Sequence, residues 1–203
     1  MNSLIFFYSK IYESQLSHWL GRKPLGENVA IANRNFTLEI QNEWNKINES
    51  VFSAFNVFGF TFPQEVFCYT VLPHPKVFPF SHPLTIPLYR RVEKNYIFST
   101  VIHELGHVAV DYYKNSKLWG RISSCLAKNF PDRDDSTREH ILVNLLQLAV
   151  LRKVKLYGWE KILDRQKKIS NLKVAWEIIG KSEGVIDSSD PVKSVFKMKE
   201  TYG

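Results

Sequence analysis

The amino-acid sequence predicts a mainly helical α+β domain, with a small sheet packed on one central helix. Segments with a 3.6-residue apolar period occupy both ends of the chain, whereas two segments near its middle are rich in β-branched and aromatic residues. Because helices and strands are grouped and do not alternate, the pattern disfavours a βαβ architecture. A length of 203 residues, with 44% hydrophobic and 23% charged residues, fits a single folded domain over 1–203.

The N-terminal part, residues 1–60, is predicted to be helical. Apolar residues recur near a 3.6 period over residues 3–20 and again over residues 36–55. The intervening GRKPLGEN contains glycine and proline and should break the helix. We therefore expect two helices before the first strand.

Two strands are predicted in the segment that follows. EVFCYTVL (65–72) and LTIPLYRR (84–91) have strand composition, and proline-rich PHPKVFPFSHP lies between them. Proline removes a ladder donor, so any strand in that linker should be an edge strand. Pro87 predicts an edge position for the second strand as well.

Helical patterns fill the rest of the chain. They cover residues 96–113, a short piece of SKLWGRISSCLAKNF, residues 136–156, and two further segments at 159–169 and 171–181. A polar stretch, SEGVIDSSDP, and a short terminal piece complete the chain. We group residues 61–157 as the sheet with its adjoining helices, and residues 158–203 as a helical C-terminal part.

This C-terminal part is basic. Of the net charge of +7, five units lie from Arg152 onward, where 12 lysines and arginines face 7 aspartates and glutamates. Such a surface can bind nucleic acid or an acidic partner, but no nucleic-acid-binding motif accompanies it. We therefore expect a solvated helical surface and no nucleic-acid partner.

Several classes of protein are disfavoured. No apolar run reaches the roughly 18 residues of a membrane-spanning helix, and the N-terminus lacks the features of a secretory signal. Cys68 and Cys125 form no CxxC pair, which argues against a disulfide scaffold or a cysteine-based zinc site. These observations favour a cytoplasmic protein; nothing in them predicts an oligomeric state.

The stretch STVIHELGHVAV (99–110) contains the pattern His-Glu-x-x-His. On a helix, His103 and His107 lie one turn apart on one face and can bind one Zn²⁺ ion, while Glu104 can act as general base on water. The flanking residues are uncharged. The alternative is a core helix with ordinary buried histidines, but burying three unpaired polar groups costs several kcal/mol each. The metal interpretation is favoured.

TVIHELGHVA resembles the active-site helix of the zincin metallopeptidases, which implies a zinc-dependent peptidase acting on peptide or protein substrates. Val110 and Tyr113 occupy positions where the metzincin branch has its glycine and third histidine, so that branch is excluded. What remains resembles the gluzincin branch, loosely including the compact phage-repressor-cleaving metallopeptidases. That resemblance implies a glutamate on a later helix as the third zinc ligand.

Glu139 is the expected third ligand, at the edge of an apolar helix face. Alternatively, Glu139 forms a capping box with Ser136. His140 is the second candidate, either as a ligand with Asn144 as its orienting partner or as an oxyanion stabiliser. The aspartate that orients a zinc ligand in the thermolysin branch is missing, since Val143 stands in its place, and Asp111 is the substitute candidate.

Other features leave alternatives open. The oxyanion of a peptidase could be stabilised by one of four side chains: Tyr112, Tyr113, His140 or Tyr157. Substrate is expected to add as a strand to LTIPLYRR, just before the HExxH helix. Two rival functions remain: a zinc hydrolase acting on a non-peptide amide, and a non-catalytic binding module based on the basic C-terminal helices.

Overall fold

The computed structural model describes residues 2–23, 25–181 and 190–198, which form a mainly helical α+β fold as predicted. The strands are β1 (Ser3–Phe7), β2 (Glu65–Val71), β3 (Phe80–Ser81) and β4 (Leu84–Pro87). The helices are α1 (Lys10–Trp19), α2 (Glu27–Asn45), α3 (Asn48–Val57), α4 (Lys94–Tyr113), α5 (Lys117–Asn129), α6 (Asp135–Val154), α7 (Trp159–Gln166), α8 (Ser170–Lys181) and α9 (Pro191–Lys197). Most of the predicted polar stretch after α8 lies outside the described residues.

The four strands form one mixed sheet in the order β1-β2-β4-β3. β1 is parallel to β2, with Ile5 opposite Phe67, and β2 is parallel to β4, with Tyr69 opposite Thr85. β3 is antiparallel to β4. Parallel neighbours require a crossover connection, and α1, α2 and α3 supply it between β1 and β2.

The helix predicted over residues 3–20 begins only at Lys10, because residues 3–7 form β1. Leu4 and Phe6 are buried on one side of this strand, whereas Phe7 is exposed. The apolar spacing from Leu4 to Ile11 fits a helix, but pairing with β2 satisfies the backbone of this segment instead. Ser9 then starts α1 as its cap, since its hydroxyl accepts a hydrogen bond from Tyr12 N.

The helix predicted over residues 36–55 is two helices, α2 and α3, with a break at Lys46 and Ile47. The break places Asn48 beside the outer edge of β1, the side that does not pair with β2. There the Asn48 side-chain oxygen accepts hydrogen bonds from Leu4 N at 3.0 Å and from the Trp44 indole at 2.9 Å. These long-range bonds favour the break over a continuous helix.

A second side chain covers the same edge of the sheet. Gln41 of α2 accepts from Phe6 N at 2.6 Å and donates to the Leu4 carbonyl at 3.1 Å. Asn48 also donates to the Asn2 carbonyl at 2.9 Å. The outward-facing backbone of β1 is therefore occupied by α2 and α3, and this edge is closed to another strand.

The predicted edge position of β4 is wrong. β4 lies between β2 and β3, and the two-residue β3 forms the edge, as expected for a strand in the proline-rich linker. Pro87 is compatible with an inner strand because it is the last residue of β4. Both β3 and β4 contact α4, so the sheet packs on the helix that carries the HExxH motif.

Helices α4 and α6 pack closely against each other at Gly106. A Cβ atom on Gly106 would lie 3.0 Å from Val143 Cγ1 and 3.7 Å from Val143 Cα. The absence of a side chain therefore lets the two helices approach, which is the close approach that a glycine within a helix predicts. This packing sets how α6 faces the motif.

The C-terminal helices complete the core. α8 and α9 pack on α6, and α7 packs on α4. Of the helices in the described part of the chain, none combines the length and the apolar character needed to cross a membrane.

Candidate metal centre

Three histidines from two helices meet beside the sheet. His103 and His107 lie one turn apart on α4, and His140 lies in the second turn of α6. Their ring centroids are separated by 5.1 Å (His103 to His107), 5.7 Å (His103 to His140) and 4.8 Å (His107 to His140). One nitrogen from each ring lies within 4.8 Å of the others, a spacing that can hold a metal ion.

The hydrogen bonds of the three rings identify the nitrogen that faces this common point. Each Nδ1 lies next to an oxygen that accepts a hydrogen bond: Gln147 Oε1 at 3.2 Å from His103, Glu139 Oε1 at 2.8 Å from His107, and the Ser136 carbonyl at 2.8 Å from His140. Each Nδ1 therefore carries the proton, and Nε2 is the nitrogen left to bind a metal. Such partners commonly orient metal-binding histidines.

Burial favours the neutral form of two of the ligand candidates, His103 and His140. His103 is 6% exposed, and its burial lowers its pKa to about 3, with smaller effects from His107 and His140. Burial also lowers the pKa of His140. Neutral imidazoles are the form that binds metals.

Glu139 is not in the three-histidine group. Its carboxylate hydrogen-bonds to His107, and this bond is the main reason why its pKa is lowered. Lys114 Nζ lies 3.6 Å from its other oxygen. Glu139, the expected third ligand, therefore hydrogen-bonds to His107 from outside the three-histidine group. His140, the second candidate, belongs to that group.

The capping box proposed for Ser136 and Glu139 does not form. Asp134 caps α6 instead, since its side chain accepts from Thr137 N at 2.6 Å. This cap leaves the Glu139 carboxylate available to His107.

Asn144 is not the orienting partner of His140, because the Ser136 carbonyl takes that place. Asn144 is fully buried, and its amide atoms have no hydrogen-bond partner among the described residues.

Glu104 is a buried carboxylate next to His103 in the chain. It is 7% exposed, and burial raises its pKa to about 7, partly offset by His107. The thiol of Cys68 on β2 is also buried near it, and the charge of Glu104 adds to the burial that raises the pKa of Cys68. A carboxylate with a pKa near neutrality can both accept and release a proton at physiological pH.

Asp111 contacts none of the three histidines through its carboxylate. Its oxygens pair with His82 Nδ1, at 3.1 Å, and with Lys114. Lys114 in turn faces Glu139, so Asp111 is two side chains away from His107. The carboxylate that hydrogen-bonds a ligand candidate, the contact expected of Asp111, is that of Glu139.

None of the predicted tyrosines forms a hydrogen bond to the three histidines. Tyr113 bonds to Thr61 through its hydroxyl, and Tyr112 and Tyr157 are exposed. Gln147 and Gln166 also contribute to the site but were not predicted from the sequence. Gln147 lies on the same narrow polar stripe of α6 as His140, and this spacing could have identified it from the sequence. No pattern in the sequence identifies Gln166.

Comparison with known proteins adds no family to this geometry. The chain matches no protein-family model, and searches of curated proteins and of solved structures return no match either.

Proposed function

We propose that the chain is a zinc-dependent peptidase in which His103, His107 and His140 bind the metal and Glu104 is the general base. The observation that carries this proposal is the combination of three imidazoles, each with its Nδ1 atom already hydrogen-bonded, and a buried carboxylate adjacent to them. The resemblance of TVIHELGHVA to the zincin helix supports the same chemistry.

The donor set fits zinc. Neutral imidazole nitrogens are favoured zinc ligands, and three protein ligands leave the fourth position open, as in catalytic sites. When bound, zinc supplies Lewis acidity, which polarises a carbonyl and acidifies water. The oxygen-rich ligand sets that magnesium and calcium prefer are not present in this three-histidine group.

Glu104 would carry the proton in this mechanism. Its carboxylate accepts the proton of the attacking water and then donates it to the amine that leaves from the cleaved peptide bond. Burial raises its pKa above that of a solvated glutamate, which favours uptake of the proton. Burial also keeps the carboxylate away from bulk water.

Among the described residues, the β3 edge of the sheet is the edge that a peptide substrate could extend. Gln41 and Asn48 cover the β1 edge, whereas β3 forms the opposite edge beside α4. A strand that adds to β3 would extend next to the helix that holds His103, Glu104 and His107. The expected substrate edge therefore moves from β4 to β3.

The test combines zinc analysis with proteolysis. Purified chain is loaded with zinc, freed of excess metal, analysed for bound zinc and incubated with an unfolded protein such as casein. We expect one zinc per chain and cleavage of casein. Failure to bind zinc would refute the proposal; zinc binding without cleavage of casein or of any peptide in a library would refute the peptidase activity and favour a non-peptide amide substrate.

A further inference from the structure

A chain of buried amides links His103 to the C-terminal part. Gln147 Oε1 accepts from His103 Nδ1 at 3.2 Å, and Gln147 Nε2 donates to Gln166 Oε1 of α7 at 2.8 Å. Gln147 is 1% exposed and Gln166 is 4% exposed. Two glutamine side chains therefore connect a metal-ligand candidate to α7, a helix about 60 residues away in sequence.

The orientation of the Gln147 amide is fixed by its neighbours. Its nitrogen lies 2.9 Å from the Ser99 carbonyl, which can only accept a hydrogen bond. The amide nitrogen must therefore face Ser99, and the amide oxygen must face His103. An oxygen at this position requires a proton on His103 Nδ1, so His103 Nε2 keeps the lone pair that binds a metal.

Gln166 supports this orientation from the other side. Its oxygen accepts the second Gln147 proton and also accepts from the Ser99 hydroxyl at 3.0 Å. Its nitrogen donates to the Thr100 hydroxyl at 3.3 Å, which fixes the Gln166 amide in turn. Without the Gln166 oxygen, the Gln147 amide would lose one of the acceptors that prevent it from rotating by half a turn. In the rotated amide, nitrogen would face His103 Nδ1.

We propose that Gln166 is a positioning residue for His103, acting through Gln147. The inference rests on the proposed function, since it concerns the same metal site. α7 lies in the basic C-terminal part, for which a separate binding function was one of the alternatives. The inference makes this helix a structural part of the metal centre.

The test is the zinc affinity of the full chain, measured by competition with a chromophoric chelator. Gln166→Met keeps the side-chain length and removes the amide, and we expect zinc affinity to fall by about 10-fold, the lower end of the range for residues that hydrogen-bond a metal ligand directly, because Gln166 acts through Gln147. Gln166→Glu restores an oxygen acceptor for Gln147 and should recover most of the affinity. Leu163→Val is the matched control, because it changes buried α7 packing without touching the amides, and its affinity should equal that of the wild type.

A second measurement does not depend on the folding of a variant. In the metal-free wild type, a long-range ¹H–¹⁵N correlation spectrum should show His103 with its proton on Nδ1. A proton on Nε2 would overturn the inference, as would unchanged zinc affinity in Gln166→Met or an equal loss in Leu163→Val. If the wild type and Gln166→Met bind zinc equally well, the inference fails and the proposed function stands. If the wild type does not bind zinc, the proposed function itself is refuted.

Discussion

The Glu139 carboxylate lies 2.8 Å from Nδ1 of His107, so it orients a metal-ligand candidate and does not join the three-histidine group. His140, the next residue, belongs to that group instead. The distinction between the two residues has a direct consequence for metal binding.

Glu139→Ala should weaken zinc binding about 10- to 100-fold, because it removes an orienting partner. His140→Ala should weaken it much further, because it removes a ligand. Glu139→Gln should stay close to the wild type, since its amide oxygen still accepts from His107. Chelator competition with the three variants ranks the effects; a greater loss in Glu139→Ala than in His140→Ala would contradict the assignment.

Glu104→Gln should retain zinc but lose peptidase activity. An amide has nearly the shape of the carboxylate but cannot take a proton, and general-base catalysis contributes about 10²- to 10⁴-fold to rate. The measurement is the rate of casein hydrolysis by the zinc-loaded variant, together with its zinc content. Activity within a few-fold of the wild type would exclude Glu104 as the base.

Gly106→Ala should destabilise the chain. The new methyl group would lie 3.0 Å from Val143 Cγ1, and overpacking of this kind costs about 1–3 kcal/mol, against a gain of about 1 kcal/mol in helix propensity. Val143→Ala removes the crowding methyl groups, so Gly106→Ala made in that background should be neutral or stabilising. Urea denaturation of the four proteins of this cycle checks the coupling; additive effects would show that the two helices do not meet as described.

Asn48→Ala should lower the free energy of unfolding by about 2 kcal/mol, since Leu4 N and the Trp44 indole both lose their acceptor. Asn48→Asp keeps an oxygen for both donors and should lose less. Glu49→Ala, at the exposed neighbouring position, is the control and should change stability little. If Asn48→Ala unfolds at the same urea concentration as the control, the side chain does not hold the edge of β1.

Glu13→Gln should change how stability depends on pH. Glu13 is buried, and this burial raises its pKa, although the bond from Leu72 N to its carboxylate opposes the effect. A raised pKa means that the folded state favours the protonated acid, so this contribution to stability is present below the unfolded-state pKa and is lost as the pH rises through the folded-state value. The stability of Glu13→Gln relative to the wild type should therefore increase as the pH rises from the usual glutamate pKa of about 4 toward neutral pH.

Thermal denaturation across that range checks this prediction, with Glu39→Gln as a control at an exposed position. A difference between Glu13→Gln and the wild type that stays constant from acid to neutral pH would contradict the assigned pKa shift.

The parts of the fold that sequence predicts well are those governed by local spacing. His103, Glu104 and His107 fall together because residues one helical turn apart share a face, and the strand composition of residues 65–71 produces β2. β1 was missed because its apolar spacing fits a helix, and only pairing with β2, some 60 residues away, decides the outcome.

The choice between Glu139 and His140 has a similar origin. Adjacent helical residues point about 100° apart, so the rotation of α6 decides which of them joins His103 and His107. That rotation depends on the packing of Gly106 against Val143, which no local pattern encodes. Gln166 was equally inaccessible, because its role depends on the docking of α7 against α4.

The proposed function depends on the binding of zinc by three imidazoles, those of His103, His107 and His140. X-ray absorption at the zinc edge of the loaded protein tests it most directly, because the multiple scattering of imidazole rings counts them. We expect three imidazole nitrogens at about 2.0–2.1 Å and one oxygen ligand that is not part of a ring. In His140→Ala, any zinc that remains bound should show two imidazoles. A wild-type spectrum with two imidazoles and a carboxylate would contradict the claim and return Glu139 to the ligand set.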